Sequence, residues 1–165
     1  MPTTLTEGQQ APGFELDDDH GDRVKLEGLR GEWVVLYWYP KDDTPGCTIE
    51  ACEIRDNWGL IAGEARLFGV SPDNVDSHVK FRDKFSLPFP LLADPEHTVS
   101  EAYGVWGKKT FAGHEYMGVD RATFIVDPEG KLARIFPKVN PAGHALEILA
   151  TLSELKGRAQ PAASA

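Results

Sequence analysis

Cysteine is nearly absent: the 165 residues hold two, Cys47 and Cys52. A single pair does not make a disulfide-stapled scaffold, which leaves a reactive pair or two unrelated core thiols. The five histidines, His20, His78, His97, His114 and His144, are scattered without ligand spacing, so no zinc or iron site is expected. Positive charge is the scarcer sign, with 17 Lys and Arg against 26 Asp and Glu and a formal net charge of -9. Such a surface repels phosphates and anionic headgroups, which argues against nucleic-acid and membrane partners. No apolar run approaches the length of a bilayer span. No Gly-x-Gly-x-x-Gly or Walker-type loop follows a strand, so the usual phosphate cradles are missing. Met1 to Gly8 show neither the basic-then-apolar pattern of a secretory signal nor the arginine richness of a transit peptide, and a cytoplasmic location is expected.

What is present is an alternation of strand and helix signals, in a chain long enough for one packed core and short for two. Phe14 to Leu16 and Val24 to Leu26 read as short strands around the turn Asp17-Asp-Asp-His-Gly21-Asp. Trp33 to Tyr39 is continuously apolar and β-favouring, as a strand covered on both faces would be. Thr44 is a suitable N-cap and Pro45 suits the first helical position. Cys47, Ala51, Ile54, Trp58 and Ile61 then recur at helical spacing, which predicts one helix running to about Ala62. Strand Ala65 to Val70, helix Val75 to Phe85, strand Leu91 to Ala93 and helix Thr98 to Tyr103 follow. Lys108 to Gly118 is a surface hairpin or a loop. Arg121 to Val126 and Lys131 to Phe136 flank the turn Asp127-Pro-Glu-Gly130, and Asn140-Pro141 opens a last helix. The expectation is a single α/β domain over residues 1–156: a central mixed sheet flanked by helices in a thioredoxin-like layout, with an N-terminal hairpin extension. Residues 157–165 are expected as a flexible tail.

Cys47 falls at the mouth of the predicted helix, where unpartnered N–H groups and the helix dipole favour a thiolate. A cation brought over by the fold would favour it most, and Arg121, at the start of an interior strand, is a better candidate than Lys41 or Arg55. Cys52 sits five residues on. On an ideal helix that spacing separates the Cα atoms by about 8–9 Å, whereas a disulfide wants less than about 7 Å. The pair cannot bond while the helix is intact, which argues for a switch between a folded reduced form and a locally unwound oxidised form. A small oxidant suits that order: the thiolate cleaves the O–O bond of a peroxide and the resulting sulfenic acid condenses with the second thiol. Thr44 could turn its hydroxyl toward the peroxide or serve only as an N-cap, and Pro40 would shield the pocket.

At these residues the chain resembles a known family. Tyr37-Trp-Tyr-Pro40-Lys-Asp-Asp-Thr44-Pro45-Gly-Cys47-Thr-Ile-Glu50-Ala-Cys52 closely resembles the active-site segment of peroxiredoxins of the bacterioferritin-comigratory, or Q, subfamily. Gly69-Val-Ser71, Ser77-His78, Phe89-Pro-Leu-Leu92, Tyr103-Gly-Val-Trp-Gly107 and Arg121-Ala-Thr-Phe-Ile125 extend the likeness from about Gly8 to Leu155. The resemblance implies a peroxidatic Cys47 and a resolving Cys52. It also implies a pocket completed by Pro40, Thr44 and Arg121, with Glu50 joining the hydrogen bonds of the arginine. It implies reduction of hydrogen peroxide and alkyl hydroperoxides, thioredoxin as electron donor, no haem, flavin or metal cofactor, and a monomer, with a weak dimer as the alternative. Trp38 departs from the phenylalanine usual there, a change in packing more than in chemistry.

Other residues invite weaker readings. His78 is expected in a structural or surface role, and Asp17-Asp-Asp19 and Asp42-Asp43 as solvated turns. Two other functions compete with the peroxidase. A thioredoxin-like disulfide reductase or isomerase would need the thiols to bond without backbone change. A redox-switched chaperone or binding protein would use helix opening to expose Trp58 and its neighbours.

Overall fold

Strand β3 (Val34–Trp38) is buried along its whole length, and its alternating side chains feed two separate apolar clusters. Val34, Leu36 and Trp38 face one layer, and Val35 and Tyr37 the other, as the two-residue period of a strand dictates. A computed structural model describes residues 3–159. In it β3 is central to a seven-stranded mixed sheet of order β2-β1-β5-β4-β3-β8-β9. It pairs in parallel with β4 (Arg66–Ser71) and antiparallel with β8 (Ala122–Val126). Beyond β4 lies β5 (Leu91–Ala93), parallel to it, and beyond β8 lies β9 (Leu132–Phe136), antiparallel. The hairpin of β1 (Glu15–Asp18) and β2 (Arg23–Lys25) extends the sheet past β5, as the expected N-terminal extension. Helices α1 (Pro45–Asp56), α3 (Val75–Phe85) and α5 (His144–Ala159) bury apolar residues in the cluster of Val35 and Tyr37, and α4 (Thr98–Ala102) in the other. The fold is α/β and thioredoxin-like.

Several boundaries differ from the expected ones. The helix anticipated to Ala62 breaks at Asn57, whose φ of -109° and ψ of 11° leave helical geometry, and a short α2 (Trp58–Ile61) follows. The Asn57 amide Nδ2 bonds back to the Glu53 carbonyl, the local competition with the helix ladder typical of asparagine. The apolar stripe runs through the break because Trp58 and Ile61 still meet the core, so periodicity gave no warning. The last helix starts at His144 and not at Asn140, and it continues through Gly157 to Ala159. Residues 160–165 of the expected tail lie outside the described residues. Residues 108–118 resolve as a hairpin, β6 (Trp106–Phe111) with β7 (His114–Val119), apart from the main sheet. The acidic turn after β1 is not solvated: Asp18 and Asp19 are buried, and Asp19 accepts the Leu91 amide at 2.9 Å and Arg82 at 3.2 Å.

One close approach constrains the packing of β4 beside β3. A Cβ added to Gly69 would lie 2.9 Å from both the Tyr37 ring and Leu91. Gly69→Ala is therefore expected to destabilise the fold by about 1–3 kcal/mol. Denaturant titration checks this, and an unchanged midpoint would contradict it.

Candidate active site

Strand β3 delivers the chain to the loop of residues 40–44, which turns through a left-handed Asp43 (φ 57°) into α1. Thr44 takes the N-cap position with extended backbone, but its hydroxyl makes no cap bond: Oγ1 donates to the Lys41 carbonyl at 2.8 Å. The capping expected of that side chain is thus replaced by closure of the loop. Cys47, in the first turn, is 1% exposed, while Cys52 is partly exposed on another side of the helix. Both thiols are free, as the geometry of an intact helix requires.

Arg121 precedes β8, the strand next to β3, and that adjacency brings it over the start of α1. Its Nη2 lies 3.4 Å from Cys47 Sγ, and its Nη1 donates to Glu50 Oε1 at 2.7 Å. Gly46 makes this approach possible, since a Cβ there would stand 3.0 Å from Nη2. One guanidinium therefore faces two groups able to carry negative charge. Burial works against the arginine charge, but Cys47 and Glu50 together outweigh it and raise its pKa. Lys41 is exposed, and Arg55 is committed to Asp56 and the Phe85 carbonyl, so Arg121 is the cation of this pocket. Pro40 is exposed at the end of β3.

Glu50 is 1% exposed, and its Oε2 has no hydrogen-bond partner. Burial pushes its pKa up to about 7, and Arg121 pulls it only part of the way back. Arg121 alone would favour an ionised carboxylate. Burial prevails, and one oxygen of the carboxylate is left without a donor. The Tyr37 hydroxyl is likewise buried and unpartnered, and burial first and Glu50 second raise its pKa. Between the ordinary value of 4.5 and about 7 the folded state binds more protons at Glu50 than the unfolded chain does. Its stabilising contribution is then full below about pH 4.5 and lost as pH rises through about 7. That shift corresponds to about 3 kcal/mol as an upper figure. Glu50→Gln is expected to flatten the fall in unfolding free energy over this window, measured by denaturant titration at several pH values. Identical slopes in both proteins would contradict it.

Two residues that the sequence left outside the site, Asp42 as part of a solvated turn and His78 in a structural or surface role, belong to the surroundings of this loop. Asp42, expected in a solvated turn, is 8% exposed, and His78 is fully buried beside it, with Nδ1 2.7 Å from Asp42 Oδ2. Their separation of 36 positions along the chain gave no signal for the pairing.

A buried thiol at a helix start, one arginine above it and a second thiol on the same helix are the parts that a thiol-dependent peroxidase on a thioredoxin-like fold would use. A model of the AhpC/TSA family matches residues 7–135, and the chain belongs to that family. It is a peroxiredoxin, an enzyme that reduces peroxides through a catalytic cysteine, and it closely matches peroxiredoxins of the Bcp and Q type. It is 48% identical over 153 residues to "Peroxiredoxin Bcp" of Bacillus subtilis, covering 92% of this chain and 98% of the relative. It is 39% identical over 151 residues to "Peroxiredoxin Bcp" of Escherichia coli, covering 91% and 97%. Among solved structures it is similar to the Xanthomonas campestris bacterioferritin comigratory protein, with a TM-score of 0.83 and 33% identity over 90% of this chain and 98% of that one. Membership in this group implies a peroxide substrate and a thioredoxin-type reductant. No helix among the described residues is long and apolar enough to cross a membrane.

Proposed function

We propose that Cys47 is the peroxidatic cysteine and Cys52 the resolving cysteine of a thioredoxin-coupled peroxidase. The observation that carries this reading is the contact between Arg121 and Cys47, which supplies a fixed positive charge to one of the two sulfurs. The Cys47 thiolate attacks the terminal oxygen of a hydroperoxide and forms an S–O bond. The O–O bond breaks, its electron pair leaves with the alkoxide, and protonation gives the alcohol, or water when the substrate is hydrogen peroxide. Arg121 stabilises the charge that develops across the S···O–O line. Pro40 fixes the loop, and Thr44, whose hydroxyl proton goes to the Lys41 carbonyl, offers its oxygen to the peroxide as an acceptor.

Cys52 then attacks the sulfenic sulfur as a thiolate, an S–S bond forms, and the S–O bond breaks to release hydroxide, which is protonated to water. A dithiol of thioredoxin reduces that disulfide by exchange. Glu50 orients Arg121. Both hydrogen peroxide and alkyl hydroperoxides are substrates in this reading, the solved Xanthomonas campestris relative being described by its alkyl peroxide reduction activity. The enzyme is proposed to act as a cytoplasmic monomer without metal or organic cofactor, a compartment in which two such thiols stay reduced between turnovers. The test is peroxide consumption with thioredoxin, its reductase and NADPH, compared between the wild type and the two cysteine variants.

A further inference from the structure

A buried, densely hydrogen-bonded polar cluster outside the Cys47 pocket lies on the loop that leads into it. His78, on α3, is completely buried, and both ring nitrogens face acceptors: Nδ1 is 2.7 Å from Asp42 Oδ2, and Nε2 is 2.9 Å from the Leu92 carbonyl. A neutral imidazole has one N–H and can satisfy one of these, whereas an imidazolium satisfies both. Asp42 also accepts Tyr39 Oη at 2.6 Å and Ser77 Oγ at 2.8 Å. Its own amide donates to Asp73 Oδ2 at 2.8 Å, which accepts Ser71 Oγ at 2.7 Å as well.

The groups facing His78 are therefore Asp42 from the loop, the Tyr39 phenol at 3.4 Å from the end of β3, Asp73 from the turn before α3, and the Leu92 carbonyl of β5. Burial opposes a charge on the ring, but Asp42 outweighs it and the pKa is raised above 6.5. Donor atoms of Asp42, Asp73 and His78 approach within 4.8 Å, a spacing that would admit a metal ion. Asp42 Oδ2, Asp73 Oδ2 and both His78 nitrogens are already engaged in the hydrogen bonds above, and the cluster closes as an ion pair.

Asp42 stands two residues before Thr44 and five before Cys47. Helix α3 grips the same loop again through Lys84, whose Nζ donates to Asp43 at 2.8 Å, the residue that takes the left-handed turn. We propose that His78 is a positioning residue for peroxide reduction: its imidazolium, through Asp42, holds the loop of residues 40–44 in the conformation that presents Thr44 and Cys47, and loss of its proton releases the loop. The proposal rests on the assignment of Cys47 above. Because the folded ring holds its proton more tightly than the free one, the support is full below about pH 6.5 and is lost as pH rises through the folded value. Once neutral, the ring must abandon either Asp42 or Leu92.

The experiment is the single-turnover rate constant for Cys47 oxidation by hydrogen peroxide, followed by sulfenic-acid trapping from about pH 6, near the ordinary histidine value, up to about 9.5. Ionisation of the thiol by itself gives a rate that rises to a plateau. Release of the loop adds an alkaline fall, expected to be about tenfold when one charge-assisted bond is lost. Asp42→Asn removes the partner charge and is expected to move that fall down by about one pH unit. His78→Asn puts a neutral, non-titrating amide in place of the imidazolium, and is expected to abolish the fall by holding the rate at every pH near the alkaline rate of the wild type, about tenfold below its neutral-pH rate. The His78 ring, followed by NMR in the wild type, is expected to lose its proton at the midpoint of the fall. That titration and Asp42→Asn decide the matter even if His78→Asn does not fold. A wild-type rate with no alkaline fall, the same fall in all three proteins, or a ring titration more than a unit from the midpoint overturns the role of His78. Undiminished oxidation in Cys47→Ser would instead overturn the reading of Cys47, and the two failures are distinguishable.

Discussion

Cys47→Ser is expected to bring thioredoxin-coupled peroxide turnover to background, a loss of about a thousandfold or more, because no other group supplies the attacking atom. The serine hydroxyl keeps the size of the thiol but not its ionisation, so a folded, inactive protein is the expected product. Cys52→Ser should behave differently. Its first oxidation should proceed within about threefold of the wild-type rate, since Cys52 is on another side of α1 and makes no bond to Arg121 or Glu50. Sulfenic acid should then accumulate and recycling by thioredoxin should fail. Steady-state turnover with thiol-specific trapping separates the two steps. Full turnover in Cys47→Ser would reverse the assignment, and normal recycling in Cys52→Ser would remove Cys52 from the cycle.

The second large effect is expected at Arg121. Arg121→Met removes the bond to Glu50 and the only cation that contacts Cys47 Sγ among the described residues. The rate constant for peroxide with Cys47 is expected to fall by about 10²–10³, the usual cost of losing a preorganised charged donor at a developing charge. Glu50 should then stay protonated to higher pH, since burial acts on it without its counter-charge. Arg121→Lys keeps the charge but cannot bridge sulfur and carboxylate with a planar fork, and an intermediate loss is expected. A rate for Arg121→Met within about threefold of the wild type would show that the contact is not what activates the thiol.

Much of this site could be read from the chain because its parts lie close together in sequence. Thr44, Pro45 and Cys47 mark a helix start after an apolar strand, and Cys47 and Cys52 fall on one helix, as observed. Arg121 was identifiable as a residue anchored by an apolar strand, yet only the pairing of β8 with β3 brings it to Cys47. Glu50 entered through family likeness alone. Its burial beneath Arg121 depends on the same long-range pairing, which spacing along one helix does not encode. Asp42 was misplaced in a solvated turn, and the choice between a structural and a surface role for His78 stayed open, for a related reason. A buried ion pair between a loop and a helix 36 positions away leaves no periodic trace, and each partner alone reads as polar. The break at Asn57 was hidden by an apolar stripe that resumes in register beyond it.

The contacts along α1 also indicate where it would open in the proposed switch. Its C-terminal half is tied on two sides, by Glu53 accepting the Gly143 amide at 2.9 Å and by Arg55 donating to the Phe85 carbonyl at 2.7 Å. The first turns depend on Arg121 and Glu50, a bond that oxidation of Cys47 disturbs directly. Unwinding is thus expected to start at Pro45 and to reach at least Cys52 before the sulfurs meet.

Hydrogen exchange across α1, measured before and after one equivalent of peroxide with the disulfide mapped in the same sample, tests this most directly. The account predicts a Cys47–Cys52 bond together with lost protection in the first turns of the helix. An oxidised protein that joins the two sulfurs while every amide of α1 stays protected would contradict it.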